Sequence, residues 1–311
     1  MSKTKIIIAG IGGVGGYFGG QLANYYENNE NVEIVFFARG EHLKKIQEKG
    51  LKVLKGDNEF VAKPFLATDD PTKIGVADLI IICTKSYDLE SIVHLLNPCV
   101  NANTMILPLL NGVNSKDRIK NILPDNIVLD GCVYIVARLK EPGVVENKGN
   151  IQTLYFGLDN YVDDKLLLIQ SLFKEAKLEA VLTKNISRIL WEKFIFLSPI
   201  ATANSYFDEC FGDVLSDVDH LETTKLLIEE VKNVALAKGI NISEDITEKT
   251  ITKYFSLPYE TTTSLHSDFK NNKSKTELEA LTGYVIKEGA NLNIITPTYV
   301  TLNMKLETLS V

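Results

Sequence analysis

Thr4–Tyr26 reads TKIIIAGIGGVGGYFGGQLANYY: a β-branched apolar run, a glycine cluster, then a segment of helical character. Gly10, Gly12 and Gly15 satisfy G-x-G-x-x-G in that strand, turn, helix order, with Gly13 inside the turn. The first glycine makes the tight turn, the second lets backbone approach a pyrophosphate, and the third lets helix and strand pack closely. The helix N-terminus then faces the anion with its free N–H groups. Glycine clusters also arise for steric reasons alone, and Gly19 and Gly20 read as packing glycines.

Outward from this unit, VEIVFFARGEHL supplies a second strand that ends in Ala38, Arg39 and Gly40, with no carboxylate before Glu41. An acidic residue there would hold a ribose 2′-hydroxyl, whereas arginine accommodates a 2′-phosphate. Arg39 therefore points to NADP(H), the alternative being a solvated surface arginine. ADLIIICTKSYDLESIVHLL is a continuous apolar strand followed by a helix from about Ser86. It sets Lys85 just past the strand's carboxyl end, where open α/β sheets bind ligands. TMILPLLNGVNSKDRI repeats the pattern and ends in Asn111 and Gly112, a pair that alone signals only a turn. CVYIVARLKEPGVVENKGNIQTLYFG reads as strands joined by turns, an antiparallel extension of the same sheet. A helix over 163–175 and the strand EAVLT follow, and from Asn185 the periodicity is helical. The expected fold is α/β: a Rossmann-type dinucleotide-binding domain over 1–184, then an all-helical domain over 185–311.

Composition narrows the function. The 311 residues carry a net charge of −7, which argues against nucleic acid as a partner. The four cysteines form no C-x-x-C pair and the four histidines show no metal-ligand spacing, so no metal site is expected. The N-terminal apolar run is too short to span a membrane and leads into glycines, so the expected location is cytoplasmic.

The second half carries ILWEKFIFLSPIATAN, a helix apolar on nearly every face with Lys193 in its middle. Such a lysine either lifts its head into water or serves chemistry. Beyond it, a hydroxyl-rich stretch containing Ser264 precedes a helix that begins near Thr276 and Glu277, where a carboxylate also suits the helix dipole. A lysine, a carboxylate and a serine facing a nicotinamide would suit reduction of a carbonyl.

The ordered set GIGGVG, ARG, CTKSYD, LLNGV, LWEKF, SLHSDF and KTELEALTGYVI resembles the ketopantoate reductases (2-dehydropantoate 2-reductases) along nearly the whole chain. The resemblance implies a Rossmann domain joined to a helical domain and NADPH-dependent reduction of the 2-oxo acid ketopantoate to pantoate. By position it implies Lys193 as general acid and Glu277 as active-site carboxylate. It also implies Asn111 and Lys85 in contact with cofactor and substrate, and Ser264 on the substrate carboxylate. Apolar surroundings would lower the pKa of Lys193, and Glu277 would oppose that shift. Many family members carry asparagines one and two turns after the lysine and another before the serine. Here those places hold Leu197, Ala201 and Thr261, and the Ser264 to Glu277 spacing is one residue longer. These departures leave another 2-oxo acid open as substrate. A non-catalytic NADP(H) sensor is the reading from a different class, which retention of Lys193 and Glu277 opposes. Apolar helix faces of this kind also allow a homodimer.

Overall fold

A computed structural model describes residues 3–309. The chain forms two compact units, one made of the residues up to Leu110 with Asn114–Ile186, the other of Asn111–Val113 with the residues from Ser187 onward.

The first unit contains β1 (Thr4–Ala9), α1 (Gly13–Tyr25), β2 (Val32–Phe37), α2 (Gly40–Lys49), β3 (Leu51–Lys55), β4 (Asn58–Ala62), β5 (Leu66–Thr68) and β6 (Leu79–Ile82). It continues with α3 (Leu89–Leu95), β7 (Met105–Pro108), α4 (Ser115–Lys120), β8 (Ile127–Val128), β9 (Asp130–Glu141), β10 (Val144–Gly157), α5 (Asp164–Glu175) and β11 (Ala180–Thr183). Six strands pair in parallel in the order β5-β2-β1-β6-β7-β8. Alternate residues of β1 enter different cores, Ile6 and Ile8 on one face, Ile7 and Ala9 on the other. With both faces covered, these strands read as unbroken apolar runs instead of alternating ones.

The antiparallel hairpin β9–β10 does not extend that sheet. It belongs to a second sheet, β11-β10-β3-β4 with β9 paired to β10. The hairpin β3–β4, turning at Gly56 with φ +56°, completes it. The glycines of α1 explain the arrangement. A Cβ on Gly19 would lie 3.0 Å from Ile8 of the parallel sheet, whereas Cβ atoms on Gly16 and Gly20 would lie 2.5 Å from Val145 and 2.7 Å from Val53 of the second. Helix α1 is thus packed between two sheets, and each side needs a bare backbone for close approach.

The second unit is helical: α6 (Ile186–Phe207), α7 (Phe211–Ser216), α8 (Val218–Ala237), α9 (Ile246–Phe255), α10 (Ser264–Lys270), α11 (Tyr284–Asn291) and α12 (Pro297–Thr308). A π-helical stretch, Glu279–Gly283, runs into α11. Helix α10 lies within the segment that the sequence reads as a hydroxyl-rich lead into the next helix. The core gathers Phe194, Ile195 and Ile200 of α6 with Leu227, Ile228 and Val231 of α8, and Val113 packs against it. Buried Glu230 on α8 is explained structurally: its two oxygens accept from the N–H groups of Thr298 (2.8 Å) and Tyr299 (3.0 Å), capping α12. No helix among the described residues is long and apolar enough to cross a membrane.

Candidate active site

In the first unit the glycine-rich turn sits at the carboxyl end of β1 and opens α1. Gly10 has φ +92°, a conformation that L side chains rarely adopt. Cβ atoms on Gly13 and Gly15 would fall 2.2 Å from the Ala137 carbonyl oxygen and 2.1 Å from the Gly10 carbonyl oxygen. Those glycines are required by the fold itself. Gly12 is different: a Cβ there would meet nothing within 4 Å. Its backbone is extended at the N-cap of α1, and that helix has neither a side-chain cap nor an acidic residue in its first turn. Open space at a glycine, before an uncompensated positive helix end, fits a pyrophosphate approaching the backbone. Cys83 beside the turn is no candidate nucleophile, because burial pushes its thiol pKa up.

Arg39 forms the N-cap of α2, past the end of β2, with its side chain 86% exposed and Nη2 3.4 Å from Asp88 Oδ2. Lys85, half-buried, follows β6 and starts a short 3-10 turn over Ser86–Asp88. That turn has a support the sequence did not advertise. Arg118 donates to both Glu90 oxygens (2.6 and 2.7 Å) and to the Ser86 carbonyl (2.7 Å). Hydrogen bonds from Arg118 hold the Glu90 carboxyl below its ordinary pKa. The spacing of 28 residues between the partners leaves no local pattern to read.

In the second unit, Lys193 and Asn111 are brought together: Lys193 Nζ donates to Asn111 Oδ1 at 3.0 Å across 82 residues of sequence. The Asn-Gly pair lies in a bend, with Gly112 at φ +98°, and it also presents an amide to the lysine. Glu277 is only 4% exposed and immediately precedes the helical residues, its carbonyl accepting from Leu281 N–H. Ser264 is the exposed first residue of α10. Leu197 is half-buried and Ala201 buried, one and two turns beyond Lys193 on α6. The Thr261 hydroxyl donates to the Pro258 carbonyl at 2.6 Å.

A polar network missed in the sequence locks the residue before Ser264. Thr263 caps α10 by accepting from His266 N–H (3.2 Å), and its hydroxyl donates to Asn204 Oδ1 (2.8 Å). The Asn204 amide nitrogen meets His266 Nδ1 at 3.2 Å, and His266 Nε2 meets Asp208 Oδ1 at 2.7 Å. Amide donation to Nδ1 assigns the ring hydrogen to Nε2, which donates to Asp208 and holds that carboxyl below its ordinary pKa. Asn204 lies on the helix of Lys193, three turns on, so one helix carries the lysine and clasps the Ser264 segment. An N-cap threonine was the sole sequence signal.

The chain matches the sequence profile "Ketopantoate reductase PanE/ApbA" over residues 6–160 and "Ketopantoate reductase PanE/ApbA C terminal" over 185–308. It is 33% identical to 2-dehydropantoate 2-reductase from Porphyromonas gingivalis W83, whose crystal structure it matches with a TM-score of 0.86 over 98% of this chain and 99% of that one. 2-Dehydropantoate 2-reductase from Halobacterium salinarum is 28% identical over 300 residues, covering 96% of each chain. The fold is also that of a D-mandelate dehydrogenase solved with NADH and anilino(oxo)acetate, at 22% identity and a TM-score of 0.83 over 99% and 98% of the two chains.

Proposed function

Since this chain belongs to the ketopantoate reductase family, we propose that it reduces 2-dehydropantoate to pantoate with NADPH. The observation that carries this reading is the Lys193–Asn111 hydrogen bond, which directs an ammonium held on an apolar helix. Bound reduced nicotinamide supplies the hydride that reaches the C2 carbonyl carbon. Lys193 gives a proton to the oxygen as it becomes an alkoxide, so ketone, hydride and proton balance to the alcohol. One of the three lysine N–H groups is committed to Asn111, which fixes the direction of the others. Glu277 orients the lysine or a substrate hydroxyl, and the Ser264 hydroxyl binds the substrate carboxylate. Lys85 serves the nicotinamide side. Gly10, Gly12, Gly13 and Gly15 form the pyrophosphate turn, and Arg39 binds the 2′-phosphate.

The test is oxidation of NADPH in the presence of ketopantoate, by wild type and by Lys193→Ala. Turnover that falls about 10³-fold in the variant, with NADPH affinity within about twofold, supports substrate and proton donor together. Wild type that binds NADPH and leaves ketopantoate untouched defeats the reading.

Leu197 favours a second reading, a 2-oxo acid with a more apolar side chain, because this half-buried position one turn of α6 beyond Lys193 offers hydrocarbon where a substrate hydroxyl would want a partner, whereas Ala201, a turn further, is fully buried in the core. A panel of 2-oxo acids ranked by kcat/KM separates the two: preference for ketopantoate removes the second reading, and preference for an unhydroxylated acid removes the first.

A further inference from the structure

Two irregular helical segments meet inside the second unit. Helix α6 contains Pro199, which has no N–H to give to the carbonyl of Ile195. After Glu277, the chain winds as a π-helix over Glu279–Gly283 before α11 begins. A π turn accommodates one residue more than an α turn, so it rotates the residues on its N-terminal side by about 100° relative to those of α11. Such a turn persists where neighbours hold it.

The neighbours here are hydroxyls. Ser198 Oγ donates to the Leu281 carbonyl at 3.1 Å, in the middle of the π turn. With that proton committed, the contact of 2.7 Å between Ser198 Oγ and Tyr299 OH must be donated by Tyr299. Thr202 Oγ1 donates to the Ser198 carbonyl at 2.9 Å, so Thr282, at 2.8 Å, donates to Thr202. Ser198, Thr202, Thr282 and Tyr299 are all buried, and each proton is used once. Hydrocarbon of the same shape would stabilise this core about as well, because buried hydroxyl pairs give little net free energy. What the four groups add is direction: they tie the helix of Lys193 to the turn after Glu277.

We propose that Ser198, Thr202, Thr282 and Tyr299 are positioning residues that hold the π turn open and thereby fix the rotational phase of Glu277 relative to Lys193. The consequence for the reaction rests on the reductase reading above; the holding of the turn does not. Two readouts keep them apart: hydrogen exchange of the peptide spanning 278–286, and the single-turnover rate of nicotinamide oxidation.

Ser198→Ala is expected to speed exchange in that peptide about tenfold while α8 exchanges as before, and to slow the single-turnover rate about tenfold with KM for NADPH within about twofold. Thr202→Val keeps shape and loses the hydroxyl, whereas Thr202→Ser keeps the hydroxyl and loses a methyl. Thr202→Ser should retain the wild-type rate better than Thr202→Val, the reverse of what packing alone gives. Tyr254→Phe is the control, because Tyr254 is equally buried and its hydroxyl donates to α6 at the Phe196 carbonyl (2.6 Å), away from the π turn. It should keep both exchange and rate. Unchanged exchange in Ser198→Ala, an equal loss in Tyr254→Phe, or a Thr202→Val that outperforms Thr202→Ser each overturns the proposal. Absence of turnover by wild type on every 2-oxo acid overturns the reductase reading instead, and the exchange comparison then decides the holding of the turn alone.

Discussion

The glycine-rich turn of the first unit and the lysine site of the second are built in opposite ways. In the turn, the decisive contacts are steric, with neighbours near and far along the chain: a Cβ on Gly15 would strike the Gly10 carbonyl at 2.1 Å, and one on Gly13 the Ala137 carbonyl at 2.2 Å. What matters there is a missing side chain, and a missing side chain is written in the sequence as glycine. At Lys193 the decisive partners are remote, Asn111 at a separation of 82 residues and, for the Ser264 segment, Asn204 at 59 from Thr263. What matters there is a polar atom delivered by folding. Demands for a bare backbone therefore survive as motifs, while long-range polar ones do not.

The sharpest way to break this comparison lies within the turn itself. Gly15→Ala should destabilise the protein by about 3 kcal/mol, because the added methyl meets the Gly10 backbone and the Cys83 Cβ, neither of which can rotate away. Gly12→Ala should leave stability within about 0.5 kcal/mol yet weaken dinucleotide binding about tenfold or more, since its Cβ enters only open space, where the proposed function puts the pyrophosphate. Denaturant unfolding and cofactor titration measure both. A Gly12→Ala protein that binds cofactor like wild type would make Gly12 a bystander.

A smaller loss is expected from Asn111→Ala. Removing a hydrogen bond to a charged group should cut kcat about tenfold and leave thermal stability nearly unchanged. Wild-type kcat would mean that the lysine is directed by other neighbours. Arg39→Ala should weaken NADPH binding about tenfold and NADH binding little, and its exposed contact with Asp88 predicts no loss of stability. Equal losses for the two cofactors would return Arg39 to a solvated surface role.

The smallest effect concerns the Lys85 turn. Glu90 has a depressed pKa in the folded state, caused first by the Arg118 hydrogen bonds. A carboxylate depressed in this way contributes stability above the ordinary glutamate value of about 4.3, and that contribution disappears as pH falls through the lower folded value. Unfolding by urea at neutral and at acidic pH should show Arg118→Ala less acid-sensitive than wild type. Parallel pH dependences would place the acid sensitivity elsewhere.

The parallel strands were legible because a sheet covered on both faces demands unbroken apolar runs, as in β1 and β6. The hairpin β9–β10 was legible as two strands and not as part of a second sheet. Alternation of side chains records that a strand has two faces, but its partners, β3 and β11, are set by distant chain. Helix α10 escaped notice because its seven residues are too short for helical periodicity to emerge. The Thr263, Asn204, His266 and Asp208 network escaped because hydroxyl, amide and imidazole side chains are equally at home on a surface.

By itself the sequence determined the strand, turn, helix unit at the N-terminus and the glycines it needs, because close approach to backbone admits few residue types. It determined that mixed structure gives way to helical structure in the second half, because periodicity is a local property. Only the tertiary structure decided that α1 lies between two sheets, that Asn111 joins the helical unit and reaches Lys193, and that a π turn comes after Glu277 under buried hydroxyls. Each of these depends on which distant polar atoms and bare backbones meet, and chain spacing does not encode that meeting.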